Sequence, residues 1–174
     1  MNKRLYVLLP TFFLISCVHK YAIPAPTDSE GHLPAAATIY VTTPQDGRDD
    51  RPRTYEGSGD WTRSAVADAL RHRGMRVVLG GTATNPSEVT SLAAAADAEF
   101  FVYPQIVHWS DRATEWSGIP DRITLNMTIY DVTTGTVLNR QEIKASSRWA
   151  TFGGDHPQEL LPELMRRWAE TVTE

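Results

Sequence analysis

Two histidines and three acids in this 174-residue sequence have side chains that bind metals or transfer protons: His108, Asp111, Glu115, Asp155 and His156. Imidazole and carboxylate groups are the usual ligands of zinc and the usual general acids and bases. No H-E-x-x-H, C-x-x-C or EF-hand spacing accompanies them, so the sequence predicts no metal site. The structural alternative is that Asp155 caps a helix, His156 lies in its first turn and Asp111 pairs with a nearby arginine.

Aromatic and basic side chains in the same stretches form a second candidate group. Together they could provide a surface for a glycan or a protein, because Trp, Tyr and Arg dominate the binding energy of interfaces. The alternative is a packing cluster that orders long loops, with an arginine stacked on an indole ring. The group consists of Tyr55, Trp109, Trp116, Trp149 and Phe152, with Arg112 and Arg148.

A serine between two glycines forms a third candidate. Gly57-Ser58-Gly59 directly precedes a predicted helix, whose first backbone N–H groups are suited to binding an anion. The simpler interpretation is that Ser58 or Asp60 caps this helix. The G-x-S-x-G motif, the Walker A motif and a complete G-x-G-x-x-G motif are all absent, so the sequence predicts neither a catalytic serine nor a cofactor.

The only cysteine follows a short apolar segment at the N-terminus. Two basic residues precede an apolar run over residues 5–15, which is too short to span a bilayer. The stretch Leu14-Ile15-Ser16-Cys17 resembles the bacterial lipobox, in which the cysteine thiol receives a diacylglyceryl group. The sequence therefore predicts a signal peptide that is cleaved before a lipidated Cys17. The alternatives are an ordinary signal peptide with a chance cysteine, or an N-terminal hydrophobic strand.

This interpretation divides the chain into three parts. Residues 1–16 are the signal peptide, residues 17–37 are the lipidated cysteine and a flexible, proline-rich tether, and residues 38–174 are a single domain. By the sorting rule for Gram-negative lipoproteins, Val18 rather than aspartate after the cysteine indicates delivery to the outer membrane. The domain would then be lipid-anchored on the periplasmic face.

Composition excludes one class of partner. The chain has 17 Lys and Arg against 21 Asp and Glu, and this net acidity is unsuited to neutralising nucleic-acid phosphates. An apolar share of 41% is sufficient for an ordinary core. We therefore expect no nucleic acid as a partner, but a membrane through the N-terminal lipid, and an envelope protein or glycan.

Hydrophobic periodicity predicts an α/β domain of the α+β sandwich type with a mixed five-stranded sheet. The predicted element order is β-α-β-α-β-β-β-α, and the predicted strand order is 2-1-3-4-5. Residues 123–130 alternate between apolar and polar types, which is typical of a strand with one buried face. Pro104 is unusual for a central strand. The strands are predicted over residues 38–42, 76–79, 100–109, 123–130 and 137–147, and the helices over residues 58–73, 86–96 and from 155 or 162 onward.

The predicted topology brings three loops to one edge of the sheet. Strands one, three and five run in the same direction, so residues 43–59, 110–121 and 148–155 all emerge at that edge. Ligands of open α/β sheets bind outside the carboxyl ends of the strands. We therefore expect the candidate residues to lie on one surface.

Two of these loops resemble the signatures of a bacterial lipoprotein family. The stretches His-Trp-Ser-Asp-Arg-Ala-Thr-Glu-Trp-Ser-Gly-Ile-Pro-Asp (108–121) and Arg-Trp-Ala-Thr-Phe-Gly-Gly-Asp-His-Pro-Gln-Glu-Leu-Leu (148–161) are similar to domain of unknown function 4823. The turn over residues 55–59 extends the resemblance, which covers most of the chain after the cysteine. It implies an envelope lipoprotein and supplies no activity or catalytic residues. The predicted fold also resembles the N-terminal domain of the translocation protein TolB.

The sequence thus predicts a non-enzymatic outer-membrane lipoprotein that serves as an envelope accessory or binding module. The alternative function is a metal-dependent hydrolase that uses His108 and His156 with Asp111 and Glu115, and a third possibility is a structural role without a ligand. The predicted binding residues are Arg112, Trp116, Arg148, Trp149, Tyr55, Asp111 and Asp155.

Overall fold

The structure is a computed structural model, and it describes residues 19–27, 31–51, 53–111, 120–147 and 156–174. In these ranges one mixed six-stranded sheet and three α-helices make an α+β fold. The strands are β1 (Lys20–Ala22), β2 (Thr38–Thr43), β3 (Arg76–Thr82), β4 (Phe100–Ser110), β5 (Arg122–Asp131) and β6 (Val137–Ser146). The helices are α1 (Ser58–His72), α2 (Pro86–Ala95) and α3 (Leu161–Val172), and a 3₁₀ turn (Pro157–Leu160) leads into α3.

The strand order across the sheet is β1-β6-β5-β4-β2-β3. The prediction of five strands in the order 2-1-3-4-5 is therefore wrong, because an additional strand, β1, lies at the edge beside β6. With β1 set aside, the order from the opposite edge is β3-β2-β4-β5-β6. β2 is parallel to β3 and β4, and β5 is antiparallel to both of its neighbours, β4 and β6. Consequently β2, β4 and β6 all run in the same direction.

The prediction of a flexible tether over residues 17–37 is wrong for the part of it that the structure describes. β1 pairs with the last residues of β6. Further on, the backbone N–H of Gly31 donates to the Leu138 carbonyl at 3.1 Å, and that of Leu33 to the Val172 carbonyl at 2.7 Å. The Leu33 side chain is fully buried in the core. The segment is thus part of the folded domain, held by partners more than a hundred residues away in sequence.

The first face of the sheet carries the larger core. α1 and α3 pack on this face and against each other. The alternation predicted for residues 123–130 is confirmed, because the apolar residues of β5 point to this core and are at most 1% exposed. The apolar stripe of α3 is buried against the same face. The core residues of β5 and α3 are Ile123, Leu125, Met127, Ile129, Leu161, Leu164, Met165, Trp168 and Val172.

The second face of the sheet is covered at one end only. α2 packs over β2 and β4, where Tyr40, Phe101 and Tyr103 form a smaller core with Val89 and Ala93 of the helix. Toward β1 the residues of this face are polar or small, and they are half-buried or exposed. We call this part the open face; its members include Lys20, Ala22, Gln105, His108, Arg122, Thr124, Asn126, Glu142 and Lys144.

Two local features of the strands have a physical explanation. β3 continues through its glycine pair to Thr82, and a Cβ at Gly80 would lie 2.4 Å from the Tyr40 ring. Glycine therefore permits the close packing of Tyr40. Pro104 is tolerated in β4 because β2 pairs with β4 only as far as Val102. Beyond that point β2 offers no carbonyl to pair with, so a residue without a backbone N–H loses no strand hydrogen bond.

The C-terminal helix begins later than a cap at residue 155 predicts. His156 precedes the 3₁₀ turn, and α3 starts at Leu161 with Pro162 in its first turn. Asp155 itself lies outside the described residues. Within the described ranges, none of the helices is both long enough and apolar enough to cross a membrane.

Candidate functional site

The carboxyl ends of β2, β4 and β6 meet at one edge of the sheet, which we call the rim. Its described parts are residues 44–51, 53–57, 111, 120–121, 147 and 156. The buried Tyr55 joins two loops here, because its hydroxyl donates to Asp49 Oδ2 at 3.1 Å and accepts from the Asp111 backbone N–H at 3.2 Å. Asp111 Oδ2 in turn lies 3.4 Å from His156 Nδ1. The described ends of the three loops are therefore in contact.

A second set of contacts ties the loop after β4 to the loop after β6. The Asp121 backbone N–H donates to Ser147 Oγ at 2.9 Å, and the Ser147 backbone N–H donates to the Asp121 carbonyl at 3.0 Å. Asp121 is 1% exposed. These reciprocal hydrogen bonds fix the distance between the two loops where they leave the sheet.

The Asp49 carboxylate is an internal charge of the rim. Its side chain has no solvent exposure, and it accepts hydrogen bonds from the Arg51 backbone N–H at 2.8 Å and from Arg51 Nε at 3.2 Å, besides the Tyr55 hydroxyl. Burial raises the pKa of this carboxyl, but the three hydrogen bonds outweigh the effect and hold its pKa below the usual value. Asp49 is thus ionised, and its carboxylate is held by these three hydrogen bonds. Its role is therefore to hold the first loop in place.

The Asp46 carboxylate occupies the N-terminus of α1. It accepts the backbone N–H groups of Gly57 and Gly59 at 3.1 and 2.8 Å and the Ser58 hydroxyl at 3.3 Å. The N-cap residue is Gly57, with φ of 85° and no side-chain cap, so the predicted cap at Ser58 or Asp60 is wrong. The turn could also have bound an external anion, but the carboxylate of Asp46 occupies that position from within the protein.

Two stacked tryptophans, Trp109 of β4 and Trp61 of α1, lie directly beside the described rim. Trp109 is 1% exposed, and a Cβ at Gly47 would lie 2.6 Å from its Cβ, so the first loop is pressed directly onto it. Trp61 stacks on Trp109 with ring centroids 6.2 Å apart and is 44% exposed. Helical spacing predicts that Trp61 is buried; instead it is the exposed indole of this cluster, and sequence reasoning missed it as a contact residue.

Several predicted site residues lie outside the described residues: Cys17, Arg112, Glu115, Trp116, Arg148, Trp149, Phe152 and Asp155. Their proposed roles stay predictions. Of the predicted binding residues that the structure describes, Tyr55 and Asp111 brace the loops against each other.

The two histidines of the alternative hydrolase have different carboxylate partners. His108 Nδ1 lies 3.9 Å from Asp50 Oδ1, whereas His156 lies beside Asp111. A β-bulge between Ile106 and His108 places His108 opposite Thr124 on the open face. In the part of the chain that the structure describes, no three His, Cys, Asp or Glu side chains are grouped so as to hold a metal ion.

A cleft lies next to the rim, where β2 and β4 separate after their third residue pair. Its volume is about 420 Å³, and Arg48, Thr84, Tyr103 and Gln105 contribute polar groups to its wall. Burial raises the pKa of the Tyr103 hydroxyl, and the nearby Tyr130 and Glu88 add to the effect, so that Tyr103 remains a hydrogen-bond donor. The cleft has the position and the size of a small-ligand site in an open α/β sheet.

The sequence over residues 31–172 matches the family model described as Domain of unknown function (DUF4823), and the chain belongs to this family. The resemblance of its two signature stretches is thereby confirmed. No protein of curated function matches the chain.

Solved structures with the same fold have very different sequences. The PelC dodecamer from Paraburkholderia phytofirmans is similar with a TM-score of 0.61 and 11% identity, over 90% of this chain and 99% of that one. Protein XCC0632 from Xanthomonas campestris, of the DUF330 family, is similar with a TM-score of 0.52 and 11% identity, over 85% of this chain and 90% of that one. At these identities the likeness concerns the fold alone.

Proposed function

We propose that this member of the DUF4823 family is a lipoprotein anchored by acyl chains on Cys17 to the periplasmic face of the outer membrane. The lipobox Leu14-Ile15-Ser16-Cys17 supports the anchor, and Val18 supports the outer-membrane address. Each buried methylene contributes about 0.8 kcal/mol, so several acyl chains hold a protein on a membrane essentially permanently.

We further propose that the domain is a non-enzymatic accessory module that binds an envelope protein or glycan through the rim. The observation that carries this role is the use of the rim's carboxylates. Asp46 caps a helix, Asp49 accepts three hydrogen bonds, and Asp111 lies against His156, so these groups hold loops in place. A general acid or base must instead be available to a substrate.

The braced loops and the first turn of α1 present side chains that are typical of binding hot spots. Trp61 is 44% exposed. Arg53, an exposed residue of the first loop, has its guanidinium 4.9 Å from the centroid of the Tyr55 ring. Tryptophan and arginine on a rigid support bind partners with little loss of conformational entropy.

The anchor is tested by labelling cells of a Gram-negative host with radioactive palmitate. We expect label on the wild-type chain and none on Cys17→Ala, which has no acceptor thiol. Val18→Asp is expected to keep the label and to move the protein from the outer to the inner membrane fraction, with Val18→Ala as the control. Label on Cys17→Ala would contradict the anchor, and an unchanged location of Val18→Asp would contradict the address.

The binding role is tested with a photo-crosslinking amino acid at position 61 in intact cells. Position 92 is the matched control, because Leu92 on α2 is 46% exposed, almost the same as Trp61. We expect a discrete crosslinked species from position 61, to an envelope protein or to peptidoglycan, and none from position 92. The same pattern from both positions would contradict a binding surface at the rim.

A further inference from the structure

The first strand starts at the rim. Lys20 pairs with Ser146, the last residue of β6, and Arg122 at the start of β5 pairs with the same residue. Because β6 runs toward the rim, the beginning of β1 lies there as well. The chain therefore enters the domain at the edge where the three loops meet.

The distance from this entry point to the proposed lipid is short. Cys17 precedes Lys20 by three residues, and a chain spans at most about 3.6 Å per residue, so about 11 Å separates their Cα atoms at most. β1 is also secured to the domain, because the Arg167 guanidinium lies 4.9 Å from the centroid of the Tyr21 ring. The polar layer on each side of a bilayer is roughly 5–8 Å thick, so a lipid on Cys17 keeps the start of β1 close to the headgroups.

Basic side chains are concentrated at this end of the open face. Lys20 and Arg122 lie in the row of paired residues nearest the rim, and Lys144 lies in the next row. Counted from the rim, the first acid of these strands is Glu142, one row beyond Lys144. Its Oε1 lies 2.7 Å from Lys144 Nζ. The charge of the open face is therefore positive where the chain leaves toward the proposed anchor.

These three cations line a shallow groove of about 550 Å³. Lys20, Arg122 and Lys144 are exposed. The other charged or titratable residues of the groove are Tyr21, His108 and Asp50, and His108 Nδ1 lies 3.9 Å from Asp50 Oδ1. A phosphate group entering the groove thus meets three cations and one acid that already lies beside a histidine.

We propose that this end of the domain lies on the membrane and that Lys20, Arg122 and Lys144 contact the phosphates of anionic phospholipid headgroups. The proposal rests on the lipidation of Cys17 proposed above. Although the chain is net acidic, an end-on orientation brings the basic end of its open face to the anionic surface. It also brings the rim within reach of partners that are embedded in the same membrane.

The orientation is tested with the lipidated protein in vesicles that contain headgroup-attached nitroxide quenchers. Because Cys17 is acylated in this protein, a single introduced cysteine can be labelled with a fluorophore. We expect strong quenching at Ala22→Cys beside the groove and little at Thr133→Cys in the exposed β5–β6 turn at the opposite end of the sheet. Equal quenching, or stronger quenching at position 133, would overturn the orientation.

The charge contact is tested with the mature chain carrying Cys17→Ser, which binds without help from acyl chains. Each cation near an anionic surface contributes about a factor of five to membrane affinity. K20Q/R122Q should therefore weaken binding to phosphatidylglycerol vesicles about 25-fold, while R71Q/R76Q, which removes two exposed cations elsewhere, should change it less than twofold. Equal losses, or equal binding to vesicles of phosphatidylcholine alone, would overturn the contact.

The two proposals fail in distinguishable ways. A mature protein whose mass shows no acyl groups contradicts the lipoprotein itself. An acylated protein that is quenched most strongly at position 133 contradicts only the membrane-facing end.

Discussion

The two faces of the sheet are built from the same strands but differ in composition and burial. On the first face, α1 and α3 bury a continuous apolar core that extends from Leu33 to Val172. On the second face, α2 covers β2 and β4, and the open face beside it consists of small, polar and charged residues. A single strand contributes to both, since Leu125 is fully buried and its neighbour Asn126 is half-buried on the opposite side.

The difference shows which residues can be substituted without a large loss of stability. Residues of the first face are fixed by close packing, and volume changes there carry a cavity cost. Residues of the open face need only be compatible with a strand and with water, so their charges are free to serve recognition. The exposed residues of both proposed contact regions, the rim and the basic groove, lie outside the first-face core.

The largest expected effect compares neighbouring residues of β5. Leu125→Ala should lower the free energy of unfolding by about 2–5 kcal/mol, because it removes buried methyl groups and leaves a cavity. Asn126→Ala should change it by about 0.5 kcal/mol or less. Urea unfolding of both variants measures the contrast, and similar losses would show that the open face is packed as tightly as the first face.

A smaller effect is expected where the rim supports the first face. Asp46→Ala leaves the N-terminal N–H groups of α1 without their acceptor, which should cost about 1–2 kcal/mol of stability. Asp60→Ala is the matched control, because Asp60 is an exposed acid of the same helix turn that pairs only with Arg63 in the described contacts. Thermal unfolding distinguishes them, and equal shifts would contradict the capping role of Asp46.

The smallest effect concerns the outer surface of α3. Hydrogen bonds from Arg166 and then Arg167 lower the pKa of Glu163 from 4.5 to about 2. Because the folded-state pKa is the lower one, the stabilisation is present above about pH 4.5 and is lost as the pH falls toward 2. Each such helix pair contributes about 0.3–0.5 kcal/mol and is screened by salt.

Glu163→Gln should therefore lower stability by less than about 1 kcal/mol at pH 7 and leave it unchanged near pH 2. Urea midpoints across this pH range, with and without 1 M salt, provide the measurement. A loss that persists at pH 2 would assign the effect to packing instead of charge.

Elements with a strong local pattern were predictable from the sequence. The alternation in β5 and the apolar stripe of α3 each fix the face that is buried, because the period of the pattern equals the period of the structure. The direction of β2, β4 and β6 followed from the same elements and from connection lengths.

Features that depend on remote partners were not predictable. Lys20–Ala22 is too short to show a period, and it is a strand only because the edge of β6 is available beside it. The cap of α1 comes from Asp46 in the preceding loop rather than from the helix itself. Trp61 has the spacing of a buried residue, but it lies at the first turn of α1, stacked on Trp109 and open to solvent on its other side.

The pairing of Leu33 with Thr173 has a consequence for the cooperativity of unfolding. Leu33 exchanges backbone hydrogen bonds with Val172 and Glu174, so the segment that enters the domain is fastened to the end of α3. The Leu33 side chain is fully buried in the core on the first face. Release of either segment therefore removes a partner of the other and opens the same core to water, which couples the two segments in one unfolding step.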